Sequence, residues 1–479
     1  MHFSIAVLSL AAACFSQVAA QSSVSKSETP LATKPVSTAA SQATTPITIK
    51  GNTFMRGNER FFLVGVDYQP GGSSDLTDPL SNPTICARDI AVMQTLGINT
   101  IRIYTVDNSV DHDECMSLLS KAGIYLVLDI NTPQSSLNRN DAASSYNLAY
   151  MQHLFATVDA FKKYPNVLGF FAGNEVINDA PTVGTAPWIK AVIRDVKQYI
   201  AAQSTRAIPV GYSSTDVPGS RYKFPEYLNC GNASTRADFI GTNVYSYCGD
   251  SSFTQSGYDQ LVAGFSDLTI PLFMSEFGCN QFAGDQSKGR AFSEVATIYS
   301  KEMTSVFSGG LVYEYTQEVN NYGLVTIGSN GQVSALPDFY NLQKQYAALK
   351  LDKSAPGTSK TTAPACPGNS TDFEGVWAED VLPVQPAGAA ALIKNGAGAP
   401  LGNGGSGSQN AGSGSGSGSG NSNVGLTSST TSGSARSASP SASATRTSGA
   451  QSVLPTLSMG MLAAWSLTLS AAFGAALFF

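Results

Sequence analysis

Eight short runs rich in β-branched and aromatic residues recur along the chain, and patterns with helical spacing separate most of them. The runs are Phe61 to Val66, Asn99 to Tyr104, Tyr125 to Ile130, Val167 to Ala172, Ile208 to Tyr212, Phe239 to Tyr245, Pro271 to Ser275 and Gly310 to Tyr315. Helical segments between them include Thr84 to Leu96, Glu114 to Ala122, Ala149 to Tyr164, Trp188 to Ala202, Tyr258 to Phe265 and Lys288 to Phe307. Strands that read as continuous apolar runs are buried on both faces, which requires helices on the outside. Eight strands alternating with helices over about 300 residues predict an α/β protein with a (β/α)8 TIM barrel. A doubly wound open sheet is the alternative, but no Gly-x-Gly-x-x-Gly follows the first run, so its usual ligand signature is missing.

The flanks of this block have a different character. Residues 1–20 contain an apolar run from Phe3 to Phe15 followed by Val18-Ala19-Ala20, a signal peptide with cleavage expected before Gln21. Residues 21–46 are rich in Ser, Thr, Pro and Ala and are expected to be disordered. The catalytic domain with its C-terminal extension is placed at 47–366, followed by a Gly/Ser-rich linker at 367–450 that reads as a disordered stalk. Residues 451–479 end in an apolar tail, Leu457 to Phe479, with no Lys or Arg after it. Small residues Ser448-Gly449-Ala450 precede this tail. That arrangement reads as a GPI-attachment signal, with attachment at Ser448 or Gly449 and the tail removed on maturation; a single-pass tail anchor is the alternative. The expected location is the outer face of the plasma membrane, or the cell wall.

The formal net charge of −6 leaves no basic surface for nucleic acid. Of seven cysteines, Cys14 lies in the signal peptide; the other six suggest three disulfides in an oxidising compartment, with fifteen pairings open. Three histidines and no Cys-x-x-Cys leave little from which to build a zinc site, so no metal is expected. Asn232 and Asn369 stand in Asn-x-Ser/Thr sequons and are candidate N-glycosylation sites. An acidic chain with no obvious partner surface reads as a monomer.

In a TIM barrel the catalytic groups sit at the C-terminal ends of the strands. Glu175 follows the fourth run, and Glu276 ends the seventh. Two carboxyls there can stand roughly 5–5.5 Å apart, the spacing of a retaining glycosidase, where one is a protonated acid and the other an ionised nucleophile. For an isolated Asn-Glu pair, a helix cap would be the better reading. The neighbouring strand ends shift the balance by supplying Tyr68-Gln69, Arg102, Tyr104, Asp129, Asn243, Tyr245, Tyr247, Tyr313 and Tyr322. Tyrosine rings stack on the C–H faces of sugars, and amides and carboxylates bind hydroxyls. Glu314 is a third carboxylate, read as salt-bridged or solvated.

Six ordered motifs then carry a specific resemblance. These are Tyr68-Gln69-Pro70-Gly71-Gly72-Ser73; Asp78-Pro79-Leu80 ahead of Cys86-x-Arg88-Asp89; Asn99 to Tyr104; Gly173-Asn174-Glu175-Val176; Ser275-Glu276-Phe277-Gly278-Cys279-Asn280; and Tyr313-Glu314-Tyr315 with Glu318 to Val325. Together they resemble the fungal GPI-anchored β-1,3-glucanosyltransferases, glycoside hydrolase family 72. The resemblance implies that Glu175 is the acid/base and Glu276 the nucleophile. It further implies that Asn174 binds the sugar 2-hydroxyl, that Tyr245 positions the nucleophile, and that Gln69, Tyr104, Asp129, Tyr313 and Tyr322 line the glucan groove. The implied disulfides are Cys86–Cys115, Cys230–Cys366 and Cys248–Cys279. The implied partners are a β-1,3-glucan donor and acceptor, and no cofactor is called for. Two departures stand out: Phe277 occupies a position where many members have Tyr, and the C-terminal Cys-rich carbohydrate-binding module is absent. An endo-hydrolase and a silent wall-binding protein remain the alternatives.

Overall fold

The computed structural model describes residues 26–32, 44–281, 285–354, 361–366, 381–404 and 407–409. Eight parallel strands close into a barrel: β1 (Leu63–Asp67), β2 (Thr100–Ile103), β3 (Tyr125–Asp129), β4 (Val167–Asn174), β5 (Val210–Thr215), β6 (Phe239–Val244), β7 (Leu272–Phe277) and β8 (Phe307–Val312). Closure is made by β8 pairing with β1. All eight predicted runs are barrel strands, because every one had to be apolar on both faces.

Aromatic residues fill the barrel interior. Phe171, Phe239 and Phe273 lie 5.2–6.0 Å apart and are completely buried. Phe54 packs edge-on against Phe239 and Phe273 from an antiparallel sheet of Ile47–Lys50, Thr53–Arg56 and Glu59–Phe61. That sheet meets the first residues of the strands, so it closes the end of the barrel opposite the catalytic face. Interior side chains therefore form a floor for the site.

The helices begin and end where local chemistry directs. Asn82 caps Pro83–Leu96 by accepting from the N–H groups of Thr84 and Ile85, and Asn147 caps Leu148–Phe161 through Tyr150. The expected helix over 288–307 is broken into a 3-10 turn at Gln286–Lys288 and short helices at Glu294–Ile298 and Lys301–Thr304. Arg290 pins this stretch, bonding Asp338 at 2.7 Å and the carbonyls of Gly278 and Tyr313, while Ser300 caps a fresh helix by accepting from Met303 N–H. Strand β8 consequently begins at Phe307, three residues ahead of the Gly310 that the sequence indicates.

Two boundaries need correction. Part of the segment 21–46 read as disordered joins a sheet: Thr29–Pro30 pairs with Val333–Ala335, and Lys26 bonds Asp338 at 2.7 Å. The ordered body also runs well past residue 366. Helix Ala389–Asn395 packs against Leu148–Phe161 and Ala186–Gln203, and residues as far as Gln409 bond to barrel loops. Composition hid both, because backbone hydrogen bonds hold these segments as much as buried side chains do. The signal peptide, the attachment signal with Ser448 and Gly449, Asn369 and most of the linker lie outside the described residues. Three disulfides are formed, Cys86–Cys115, Cys230–Cys366 and Cys248–Cys279, the pairing that the resemblance implies. Asn232 is exposed.

Candidate active site

Strand β4 ends at Asn174, and the chain turns sharply at Glu175, whose φ of 49° lies in the left-handed region. A non-glycine residue held there costs on the order of 1 kcal/mol or more and persists only where its surroundings impose it. Here they do: Glu175 N–H donates to Ser213 O at 3.0 Å, Val176 N–H to the Tyr212 hydroxyl at 2.7 Å, and Arg139 Nη2 donates to Glu175 O at 3.0 Å. The turn holds the carboxyl half-buried in the cleft, where Asn243 Nδ2 donates to its Oε1 at 2.7 Å. Asn243 is oriented in turn by the hydroxyls of Ser213 and Ser275, which donate to its Oδ1 at 3.2 and 2.8 Å.

Glu276 stands on β7 directly beside Asn243 in the ladder and is 7% exposed. Three donors converge on it: Arg102 Nη1 at 3.0 Å and Tyr104 hydroxyl at 2.9 Å to Oε1, and Tyr245 hydroxyl at 2.8 Å to Oε2. Burial pushes this carboxyl up to about 7. Arg102 opposes that rise, the charge of Glu175 adds to it, and the hydroxyls of Tyr245 and Tyr104 pull downward. The three donors favour the ionised form of Glu276 against the burial that raises it.

Arg102 organises this corner. It is completely buried, clasps Asp129 with Nε and Nη2 at 3.1 and 2.9 Å, and lies 4.2 Å over the Tyr104 ring and 4.9 Å over Phe171. The aromatic floor of the barrel thus supports the cation that supports Glu276. Asp67 at the end of β1 is also completely buried, and neither carboxyl oxygen has a hydrogen-bond partner among the described residues. Burial, opposed by Arg102 and reinforced by Glu276 and Asp129, raises its pKa well above the ordinary aspartate value. Sequence reading named Arg102 only as a strand-end residue and did not single out Asp67, because neither burial nor a partner is visible along the chain.

Tyr245, Tyr313 and Tyr322 form an edge-to-face cluster with centroids 5.4–6.4 Å apart, beside Tyr104. On the other side of the cleft, a recess of about 240 Å³ is lined by Ser73, Tyr104, Asp129, Ser136, Arg139 and Asn174. Cys248–Cys279 ties the loop after Tyr245 to the loop after Glu276. Phe277 is completely buried.

Several expectations are corrected. Gln69 is 1% exposed and does not line the cleft; its amide donates to Thr77 O and accepts from the N–H groups of Tyr104 and Thr105, locking the β1 loop to the end of β2. Glu314 makes no salt bridge among the described residues and is not solvated. It is 1% exposed, accepts from Asn320 Nδ2 at 2.8 Å, and is pushed by burial up to about 7. Tyr68 and Tyr315 are core residues whose hydroxyls donate to Asp89, and Tyr247 donates to Ser251 O.

Residues 36–350 match the family model described as Glucanosyltransferase, glycoside hydrolase family 72. The chain is 52% identical over 368 residues to 1,3-beta-glucanosyltransferase gas4 of Schizosaccharomyces pombe, covering 76% of this chain and 80% of the relative. It is likewise 52% identical over 369 residues to 1,3-beta-glucanosyltransferase GAS5 of Saccharomyces cerevisiae, covering 76% and 74%. Among solved structures it is similar to a mutant of Saccharomyces cerevisiae Gas2p in complex with laminaritetraose and laminaripentaose, with 39% identity, 72% of this chain and 75% of that chain covered, and a TM-score of 0.65.

Proposed function

The chain belongs to the glucanosyltransferases of glycoside hydrolase family 72, and from that premise we propose how its own residues carry out the transfer. It is a 1,3-β-glucanosyltransferase of the fungal cell wall, cutting an internal bond of one β-1,3-glucan and joining the new reducing end to the non-reducing end of another. The observation that carries the assignment of roles is the asymmetry of the two carboxyls. Glu276 is buried and receives three donors, whereas Glu175 is half-exposed and accepts from a single amide.

In the first half-reaction a Glu276 carboxylate oxygen attacks the anomeric carbon. The bond to the leaving O3 breaks with its electron pair on that oxygen, which takes the proton of Glu175, and the reducing-end fragment departs. Asn174, on the β4 end beside Glu175, is placed to bind the 2-hydroxyl of the sugar. Tyr245 holds Glu276 in line through its 2.8 Å hydrogen bond. In the second half-reaction Glu175 takes the proton of an acceptor 3-hydroxyl, whose oxygen displaces Glu276 and restores the β-linkage. The cluster of Tyr245, Tyr313 and Tyr322 offers ring faces and edges for stacking an acceptor, so that sugar competes with water through effective concentration. If water were to win, the enzyme would be an endo-hydrolase.

The N-terminal apolar run, the C-terminal tail and the Gly/Ser-rich stretch before it support export and GPI anchorage on a stalk at the cell surface, with the barrel acting as a monomer. Chromatography of products from a reduced laminari-oligosaccharide tests the reading. Products longer than the donor, lost in Glu175→Gln and Glu276→Gln, are expected. Only shorter products would make the protein a hydrolase, and no products would leave it a glucan-binding protein.

A further inference from the structure

The Gly/Ser-rich tail begins as a docked strap rather than a free linker. After helix Ala389–Asn395, Ala397 N–H donates to the Tyr199 hydroxyl at 2.9 Å, and Ala399 O accepts from Gln152 at 2.9 Å. Gly402 N–H donates to Asn108 Oδ1 at 3.0 Å, and Asn403 Nδ2 donates to Leu76 O at 2.9 Å. Farther on, Ser408 N–H donates to Gln134 O at 3.0 Å, Ser408 O accepts from the helix-capping Asn147 at 2.8 Å, and Gln409 Nε2 donates to Pro133 O and to the Ser136 hydroxyl at 3.0 and 2.6 Å. Ser408 is 1% exposed.

Two glycines fit this path closely. Gly402 and Gly407 have φ of 65° and 69°, and a Cβ on them would lie 2.6 Å from the Asp107 carboxylate and 2.3 Å from the Gln134 carbonyl oxygen. Glycine here permits both the left-handed turn and the close approach, which is the opposite of a linker's use of it.

Besides the β2 loop at Asn108, the strap touches two loops that wall the same recess of the cleft: the β1 loop through Leu76, whose neighbours Ser73 and Ser74 line it, and the β3 loop, which lines it with Pro133 and Ser136. We propose that residues 396–404 and 407–409 are a positioning strap that fixes these two loops, and that the affinity of this arm of the cleft for a β-1,3-glucan chain depends on it. The strap touches neither carboxyl, so it acts on binding along the chain and not on bond breaking. This rests on the reading of the cleft as the glucan site.

The test uses the full chain carrying Gly407→Val, and separately Asn403→Ala with Gln409→Ala, which removes only the three hydrogen bonds of two side chains and so is expected to fold. Initial rates are measured on laminari-oligosaccharides of increasing length. For substrates long enough to occupy the arm, KM is expected to rise about fivefold while kcat stays within about twofold, with oligosaccharides too short to reach it unaffected, since a loosening of the two loops worth about one hydrogen bond changes an equilibrium by about that factor. Equal KM at every length, or a loss of kcat shared by all lengths, overturns the proposal. Should the unsubstituted protein show no cleavage, the catalytic reading fails by itself, and calorimetry of laminarihexaose binding decides the strap. A Kd raised about fivefold in the variants supports it, and an unchanged Kd overturns it.

Discussion

Arg102→Lys keeps the charge and removes the fork, which isolates what the guanidinium does for the nucleophile. Arg102 serves two carboxylates at once, Asp129 through Nε and Nη2 and Glu276 through Nη1 at 3.0 Å. A lysine ammonium at this completely buried position can reach one of them but lacks the planar geometry to hold both. Each hydrogen bond to a charged group contributes about 1.5–3 kcal/mol, and losing one or two that act on Glu276 in the transition state is expected to lower kcat/KM by about 10²–10³. The pH profile supplies a second readout. Arg102 is the largest influence holding Glu276 down against burial, which already lifts it to about 7. Weakening that influence raises the carboxyl further, and because the nucleophile must be ionised, the acid limb of kcat/KM is expected to move to higher pH. Arg102→Met should go further, leaving two buried carboxylates without a counter-charge at about 3–5 kcal/mol, seen as a Tm lowered by several degrees. Steady-state kinetics across pH with laminari-oligosaccharides measures both effects. An Arg102→Lys enzyme within about threefold of wild type, with its acid limb in place, would refute the assignment of Arg102 as the counter-charge of Glu276.

Tyr245→Phe removes one donor from Glu276 Oε2, so kcat is expected to fall about tenfold with the acid limb again displaced upward; an unmoved limb would mean that the hydroxyl serves only packing. Replacing Cys248 and Cys279 together with Ser opens a loop with a sequence separation of 31 and is expected to cost about 3 kcal/mol, read as a lower Tm by calorimetry. Because that bond joins the loops after Tyr245 and Glu276, kcat should drop as well. Burial lifts Glu276, Glu294 and Glu314 to about 7, while in the unfolded chain a glutamate ionises near 4.3. Between those values the folded protein holds protons that the unfolded chain has released. Stability is therefore full below about pH 4.3 and is lost as pH rises towards about 7, so Tm at pH 5 should exceed Tm at pH 7.5. Glu314→Gln should flatten this slope, and a Tm that climbs over the same window would contradict the burial argument.

Periodicity along the chain determined the barrel and the strands on which chemistry sits. A strand enclosed by helices on one side and a filled lumen on the other must be apolar throughout, and eight such runs admit few architectures. Once Glu175 and Glu276 fall at the ends of the fourth and seventh runs, their convergence follows from barrel geometry. Tyr104, Asp129, Tyr245, Tyr313 and Tyr322 were legible for the same reason. Tertiary structure alone decided how their charges are set, because burial and partners are three-dimensional. Arg102 is a single cation on β2, yet it spans Asp129 and Glu276 over the aromatic floor; Gln69, grouped with the groove residues, spends its amide on the backbone beneath it. The left-handed turn at Glu175 is likewise imposed by Ser213, Tyr212 and Arg139, none of them neighbours in sequence. Composition also misplaced the tail, since a run of glycine and serine looks the same whether it is solvated or pressed against a loop, and only tertiary contacts such as the approach of Gly407 to the Gln134 carbonyl tell the two apart.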